Sequence, residues 1–204
     1  MIRRWTVAAL AIAGALECPS RAEQAEGRSA PQEVRAFCDA LVAAMKQGPA
    51  LGYAGRRQML EPQIRRALDL PLMTRLVVGP PWRSLKADEQ QRLVDAFSDY
   101  SIAVYASRFK EYGGERFEVA PTANPSTNGH VLVSTKLVPG QGEPVQLDYL
   151  MASGPAGWQI IDVFLSGTIS ELAARRSEYS TVLRTGGAQA LIDLLRRKTT
   201  ELGG

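Results

Sequence analysis

Asp148 and Asp162 raise the first chemical question in this sequence. They fall on neighbouring predicted strands, where two facing carboxylates can share a proton and divide general acid and general base roles. A simpler role for each is to end a strand ladder or to meet one of the many arginines. Other chemistry finds less support. His130 is the sole histidine and has no cysteine or second histidine at ligand spacing, so neither a metal site nor a cofactor is expected. Gly-x-Ser-x-Gly elbows, Walker loops and Rossmann glycine patterns are absent from the sequence. Arg56, Arg57, Arg65 and Arg66 punctuate one helical region, and Arg175, Arg176, Arg184, Arg196 and Arg197 another. These read first as solvated helix faces, and second as a surface for partner proteins or anionic head groups.

The elements that must position these groups alternate in period. Pro31 opens a helical pattern through Val34, Phe37, Leu41, Val42 and Met45, which Gly48-Pro49 is expected to end. Helical spacing returns from about Gly55 to Leu68 and from Leu72 to Val78, with Gly79-Pro80-Pro81 as a stop. A long helix follows, capped between Ser84 and Asp88 and broken near Tyr112 by Gly113-Gly114. The period then becomes two. Phe117 and Val119, then Val131, Val133, Thr135 and Leu137, then Val145, Leu147, Tyr149 and Met151 alternate along three strands. Trp158 to Leu165 is apolar on both faces and makes a fourth. After Gly167 comes a helix bearing Arg175, Arg176 and Tyr179, and a glycine pair starts another over Ala188–Lys198. Four strands joined by short turns predict an antiparallel meander, and the helices on either side make the class α+β.

The N-terminus predicts export. A cationic start, Met1-Ile-Arg-Arg4, precedes an apolar run from Trp5 to Leu16, and Ser20-Arg-Ala22 offers a cleavage site. That run is shorter than the roughly 20 apolar residues needed to span a bilayer as helix. Residues 1–22 are therefore read as a signal peptide cleaved near Ala22, 23–30 as a disordered linker, and 31–204 as one domain. Cys18 is not read as a lipoprotein cysteine, because Glu17 precedes it. Removing residues 1–22 leaves 21 Lys+Arg against 20 Asp+Glu. Such balance removes the case for a nucleic-acid partner. Cys38 would then be the sole cysteine, so no intrachain disulfide is expected.

The long helix has two apolar stripes. Leu93, Phe97, Tyr100 and Val104 lie within about 60° of each other, and Ile102, Tyr105, Phe109 and Tyr112 lie roughly 140° around. A helix at the surface needs only one stripe. The second means packing on both sides, or one face lining a cavity.

Several segments in order resemble the MlaC-type periplasmic lipid-binding proteins, auxiliary components of ABC-type lipid-trafficking systems. They are Gly79-Pro-Pro-Trp82, the Phe97, Tyr100, Tyr105, Tyr112-Gly113-Gly114 series, the strands Val145–Tyr149 and Trp158–Val163, and the block from Asp148 to Gly187. Ser107-Arg-Phe109, Gly114–Val119 and Gly167–Leu172 resemble the hopanoid-associated HpnM branch of that family. The resemblance implies a curved four-stranded antiparallel sheet wrapped by N- and C-terminal helices, with an apolar cavity between them. It also implies a monomeric, non-enzymatic periplasmic carrier of phospholipid or hopanoid. Its partners would be an inner-membrane ABC/MCE-type complex and an outer-membrane donor or acceptor. By alternation and helical face, the expected lining is Phe117, Val131, Val133, Leu147, Tyr149 and Ile160 from strands. Leu76, Val77, Trp82, Phe97, Tyr100, Val104 and Tyr105 face them from helices. Two other readings stand beside this one. One is a small enzyme on a cone-shaped fold of the nuclear-transport-factor type, with Asp162 as its acid or base. The other is an envelope adaptor that binds only proteins.

Overall fold

A computed structural model describes residues 28–203. The predicted signal peptide and residues 23–27 of the predicted linker lie outside that range. Helix α1 spans Ala30–Ala67 and α2 spans Leu70–Val78; a 3-10 turn over Pro80–Ser84 leads to α3, Ala87–Arg108. The strands are β1 Arg116–Val119, β2 Asn124–Pro125, β3 Val131–Val138, β4 Val145–Gly154, β5 Gly157–Leu165 and β6 Ile169–Ser170. Helix α4, Glu171–Gly203, closes the chain.

The sheet is antiparallel and curved, in the order β1-β3-β4-β5-β6, with β2 paired on β3. Its four long strands are the predicted meander. The two-residue β2 and β6 are additions, too short for a periodic signal. Asp162 pairs with Leu150 but Ile160 pairs with Met151, so Ile161 is an extra residue on β5. This bulge lets the consecutive Ile160 and Ile161 both be buried and bends the strand.

Three helix boundaries depart from the sequence reading. Gly48-Pro49 does not end α1; the helix continues to a kink at Gly52, whose φ of 60° suits a residue without Cβ. Helix α3 stops at Arg108, short of Tyr112, because Phe109 leaves helical geometry and turns its ring onto Tyr105 and Phe117. Helix α4 runs past Lys198 and bends at Gly187, within the glycine pair read as the start of a second helix. At the other end, helix begins at Ala30, itself buried, and the Ser29 N–H donates to Gln32 at 2.8 Å, so Arg28–Ala30 are tied to α1.

Arg56 differs from the solvated residue the charge pattern suggests. It is buried, and its guanidinium donates to the carbonyls of Ala106 at 2.8 Å and Gly48 at 3.0 Å. The Ala106 carbonyl belongs to the last turn of α3, where no helical N–H remains to meet it. Gly48 is pressed so closely on the Lys110 carbonyl that a Cβ would collide with it. Together these two residues lock the kinked part of α1 to the end of α3. Arg57 and Arg65 pair instead with Asp99, and Arg66 with Glu33, on the surface.

Candidate functional site

Helix α3, the first turns of α4 and one face of the sheet border a cavity of about 340 Å³. Phe97, Ser101, Val104, Tyr105, Arg108 and Phe109 line it from α3 and its cap. Leu137, Val145, Leu147, Tyr149, Val163 and Leu165 line it from β3, β4 and β5. Glu171, Leu172 and Arg175 come from α4, and Leu68 and Met73 from the α1–α2 corner. The register explains the strand contribution. Leu147 lies between Thr135 and Leu165, Tyr149 between Val133 and Val163, and Val145 beside Leu137. Alternate residues of three strands thus point to one face.

The α3 contribution has a less obvious pattern. At 100° per residue, Phe97, Ser101, Val104, Tyr105 and Arg108 fall within about 100° of one another. That face runs between the two apolar stripes and has Ser101 and Arg108 near its middle. A search for the most apolar face passes over it.

The aromatics of the cavity wall and of the core behind it form a continuous chain. Phe37 meets Tyr105 edge-on at 5.4 Å between centroids and Tyr149 at 6.3 Å. Tyr105 stacks on Phe109 at 5.7 Å, and Phe109 lies 6.4 Å from Phe117. Burial pushes the Tyr105 and Tyr149 hydroxyls well above the usual tyrosine range, so both present a neutral O–H. Cys38 packs beneath, its Sγ 4.0 Å from the Tyr149 hydroxyl, and burial pushes its thiol up to about 12. Thiolate is the reactive form, so Cys38 should resist a maleimide or disulfide reagent at pH 8. In a Cys18→Ser chain, labelling is expected only after denaturant is added. Fast stoichiometric labelling of the native protein would show that α1 opens readily.

The cavity's charges are confined to α3's last turn and α4's first turns. Arg175 lies over the Tyr100 ring at 5.1 Å and 3.5 Å from Glu171, while Arg108 is exposed. Asp162 sets this geometry from β5. It accepts from the Leu172 N–H at 3.2 Å and from the Ser170 hydroxyl, and the Ser170 oxygen in turn accepts from the Ala173 N–H at 2.9 Å. These carboxylate and hydroxyl contacts cap α4 and aim its first turns at the cavity. Asp148 accepts from Gln146 at 3.0 Å. Asp148 sits opposite Phe164, and Asp162 opposite Leu150, so the two aspartates are not register partners. His130 is half-buried at the start of β3, with its backbone paired to Ser126 and Thr127.

Of the residues chosen from sequence, Phe97, Val104, Tyr105, Leu147 and Tyr149 border the cavity. Val77, Val133 and Ile160 are fully enclosed in the core, and Phe117 and Val131 pack against it. Tyr100 supports Arg175. Leu76 and Trp82 lie on a different surface hollow, with Arg75 and Arg83. Among the lining residues not chosen, Val145 shares the alternation of Leu147 and Tyr149, whereas Val163 and Leu165 are out of step with the chosen Ile160 and reach the same face through the bulge at Ile161. Arg175 was among the arginines read as solvated faces or as a surface for partners or anionic head groups, and Glu171 gave no signal beyond its four-residue spacing from Arg175.

Residues 35–197 match the family described as MlaC protein. The chain belongs to the MlaC family. Among solved structures, a phospholipid-binding protein from Ralstonia solanacearum, determined in complex with a phospholipid, is similar in fold. It is 23% identical, with a TM-score of 0.75 over 87% of this chain and 100% of that one. No curated protein matches the sequence. The region that matches the MlaC family contains both the Gly79-Pro-Pro-Trp82 stop and the strand–glycine–helix passage after Asp162. Helices α1 and α4, at the two ends of the matched region, are also the helices that flank α3.

Proposed function

We propose that this MlaC-family protein binds and carries a lipid, with the apolar tail in the cavity between α3, α4 and the sheet. The observation that carries this reading is the cavity wall itself. Apolar side chains from six elements, α2, α3, β3, β4, β5 and α4, border it, and its charged residues, Arg108, Glu171 and Arg175, are grouped on two adjoining helix ends. Such a site stabilises bound hydrocarbon by about 0.8 kcal/mol for each methylene removed from water. The charged group suits a polar head at the boundary with solvent. Nothing in the arrangement favours turnover: the tyrosine hydroxyls are held neutral, and Asp162 is engaged in capping α4.

The finer parts of the reading rest on the family and the N-terminal sequence pattern. We place the protein in the periplasm, between an inner-membrane ABC-type complex and an outer-membrane partner. A phospholipid is the favoured cargo, because the similar Ralstonia protein was solved with one. The test is solvent extraction and mass spectrometry of protein purified from its own cell envelope. A stoichiometric phospholipid is expected. A hopanoid would move the protein to the HpnM-like branch, and a folded protein with neither would overturn the carrier reading.

A further inference from the structure

A second concavity, of about 520 Å³, lies between the end of α2, the Pro80–Ser84 turn and the first turns of α4. It shares no lining residue with the cavity described above. Arg75, Arg83 and Arg176 converge on it from three separate elements, with Leu76 and Trp82 among them and no carboxylate in its lining. All three arginines are exposed, and among the described residues none has a carboxylate within ion-pair distance. Arg57, Arg65, Arg66, Arg92, Arg116 and Arg175 each have an acidic partner. Arg35, Arg108, Arg184, Arg196 and Arg197 are exposed without one among the described residues, so what sets Arg75, Arg83 and Arg176 apart is their convergence on one concavity. The nearest acid on the adjoining hollow is Asp162, whose oxygens are taken by Leu172 and Ser170.

The Arg176 guanidinium lies against Gly79, where a Cβ would occupy the same space. Leu76 is 40% exposed, one of four large apolar side chains so exposed among the described residues. Three like charges brought together without a counter-charge repel one another, and that repulsion is relieved when an anionic ligand arrives. Guanidinium groups receive carboxylates through paired N–H donors.

We propose that this groove binds an acidic, partly apolar segment of another protein. Its carboxylates would meet Arg75, Arg83 and Arg176, and an apolar side chain would lie on Leu76 and Trp82. A concavity on which three guanidinium groups converge suits a carboxylate-bearing chain better than a bilayer, which is met by apolar side chains projecting from a helix face. The inference is independent of what the cavity carries.

The test uses the purified protein and a short fluorescein-labelled peptide of glutamates with interspersed leucines, read by fluorescence anisotropy. Flotation with phosphatidylglycerol vesicles is run in parallel. Binding of the peptide is expected, weakening with salt, and at least about tenfold weaker for the Arg75→Gln/Arg83→Gln/Arg176→Gln protein. Lipid content should be unchanged in that variant. If the triple variant melts early, Arg83→Gln alone, on the exposed turn, should still weaken binding about threefold. Peptide binding that ignores these substitutions overturns the proposal, as does a folded wild type that fails to bind. Arginine-dependent vesicle binding without peptide binding would assign the groove to anionic lipid instead.

Discussion

The Leu147→Glu protein should be recovered folded but without its lipid. Leu147 is half-buried on the cavity face of β4, between Thr135 and Leu165, so a carboxylate there is hydrated while the cavity is empty. A lipid tail would strip that water away, and desolvating an unpaired charge costs several kcal/mol. Retention should fall by at least about a hundredfold, equivalent to about 2.7 kcal/mol. Leu147→Met, which keeps volume and polarity close, should leave it unchanged. The measurement is lipid per protein by mass spectrometry, beside a thermal melt. A folded Leu147→Glu protein that still holds stoichiometric lipid would place the tail elsewhere. Val133 is a poorer site for the same experiment, since it is completely buried in the core and a charge there attacks the fold itself.

Arg56→Ala should cost about 3 kcal/mol of stability, because two buried carbonyls lose their donor at about 1–3 kcal/mol each, partly offset by removing a buried charge. In a domain of this size that corresponds to a fall in Tm of roughly 10 °C. The effect should reach the cavity too, since the guanidinium holds the end of α3 through Ala106, beside Tyr105, Arg108 and Phe109. Arg56→Lys keeps the charge but cannot span both carbonyls with a fixed fork, and should fall between the two. A calorimetric melt within 2–3 °C of the wild type, the shift of about 1 kcal/mol, would show that water replaces the guanidinium without loss.

Arg56 also shows where sequence reading stops. In the charge pattern it is indistinguishable from Arg57 beside it, yet Arg57 meets Asp99 on the surface while Arg56 is buried against backbone. The difference depends on where α3 ends and how closely Gly48 approaches Lys110. Those are contacts between residues about 50 to 60 positions apart. The helix ends tell a similar story. Gly79 and the glycine pair at Gly186-Gly187 were legible as breaks, because glycine reaches left-handed backbone at little steric cost. Pro49 was misleading, since its helix continued to Gly52.

By itself the sequence determined the α+β class, the four long antiparallel strands and the inward side of β1, β3 and β4. Alternation of apolar and polar residues has a period set by backbone geometry alone and holds until a bulge resets it, as at Ile161 in β5, which is apolar on both faces. It also carried enough family pattern, from the Gly79 stop to the Gly187 bend, to indicate an apolar cavity. Only the tertiary structure decided which apolar residues border that cavity and which fill the core. Phe97 and Ile102 are equally apolar and equally helical, but one faces the space beside Tyr149 and the other faces packed side chains. The cavity face of α3 is centred on Ser101 and Arg108, between its apolar stripes, because a wall is defined by what stands opposite it. The same holds for Arg75, Arg83 and Arg176, three solvated charges along the chain that the fold gathers into one groove.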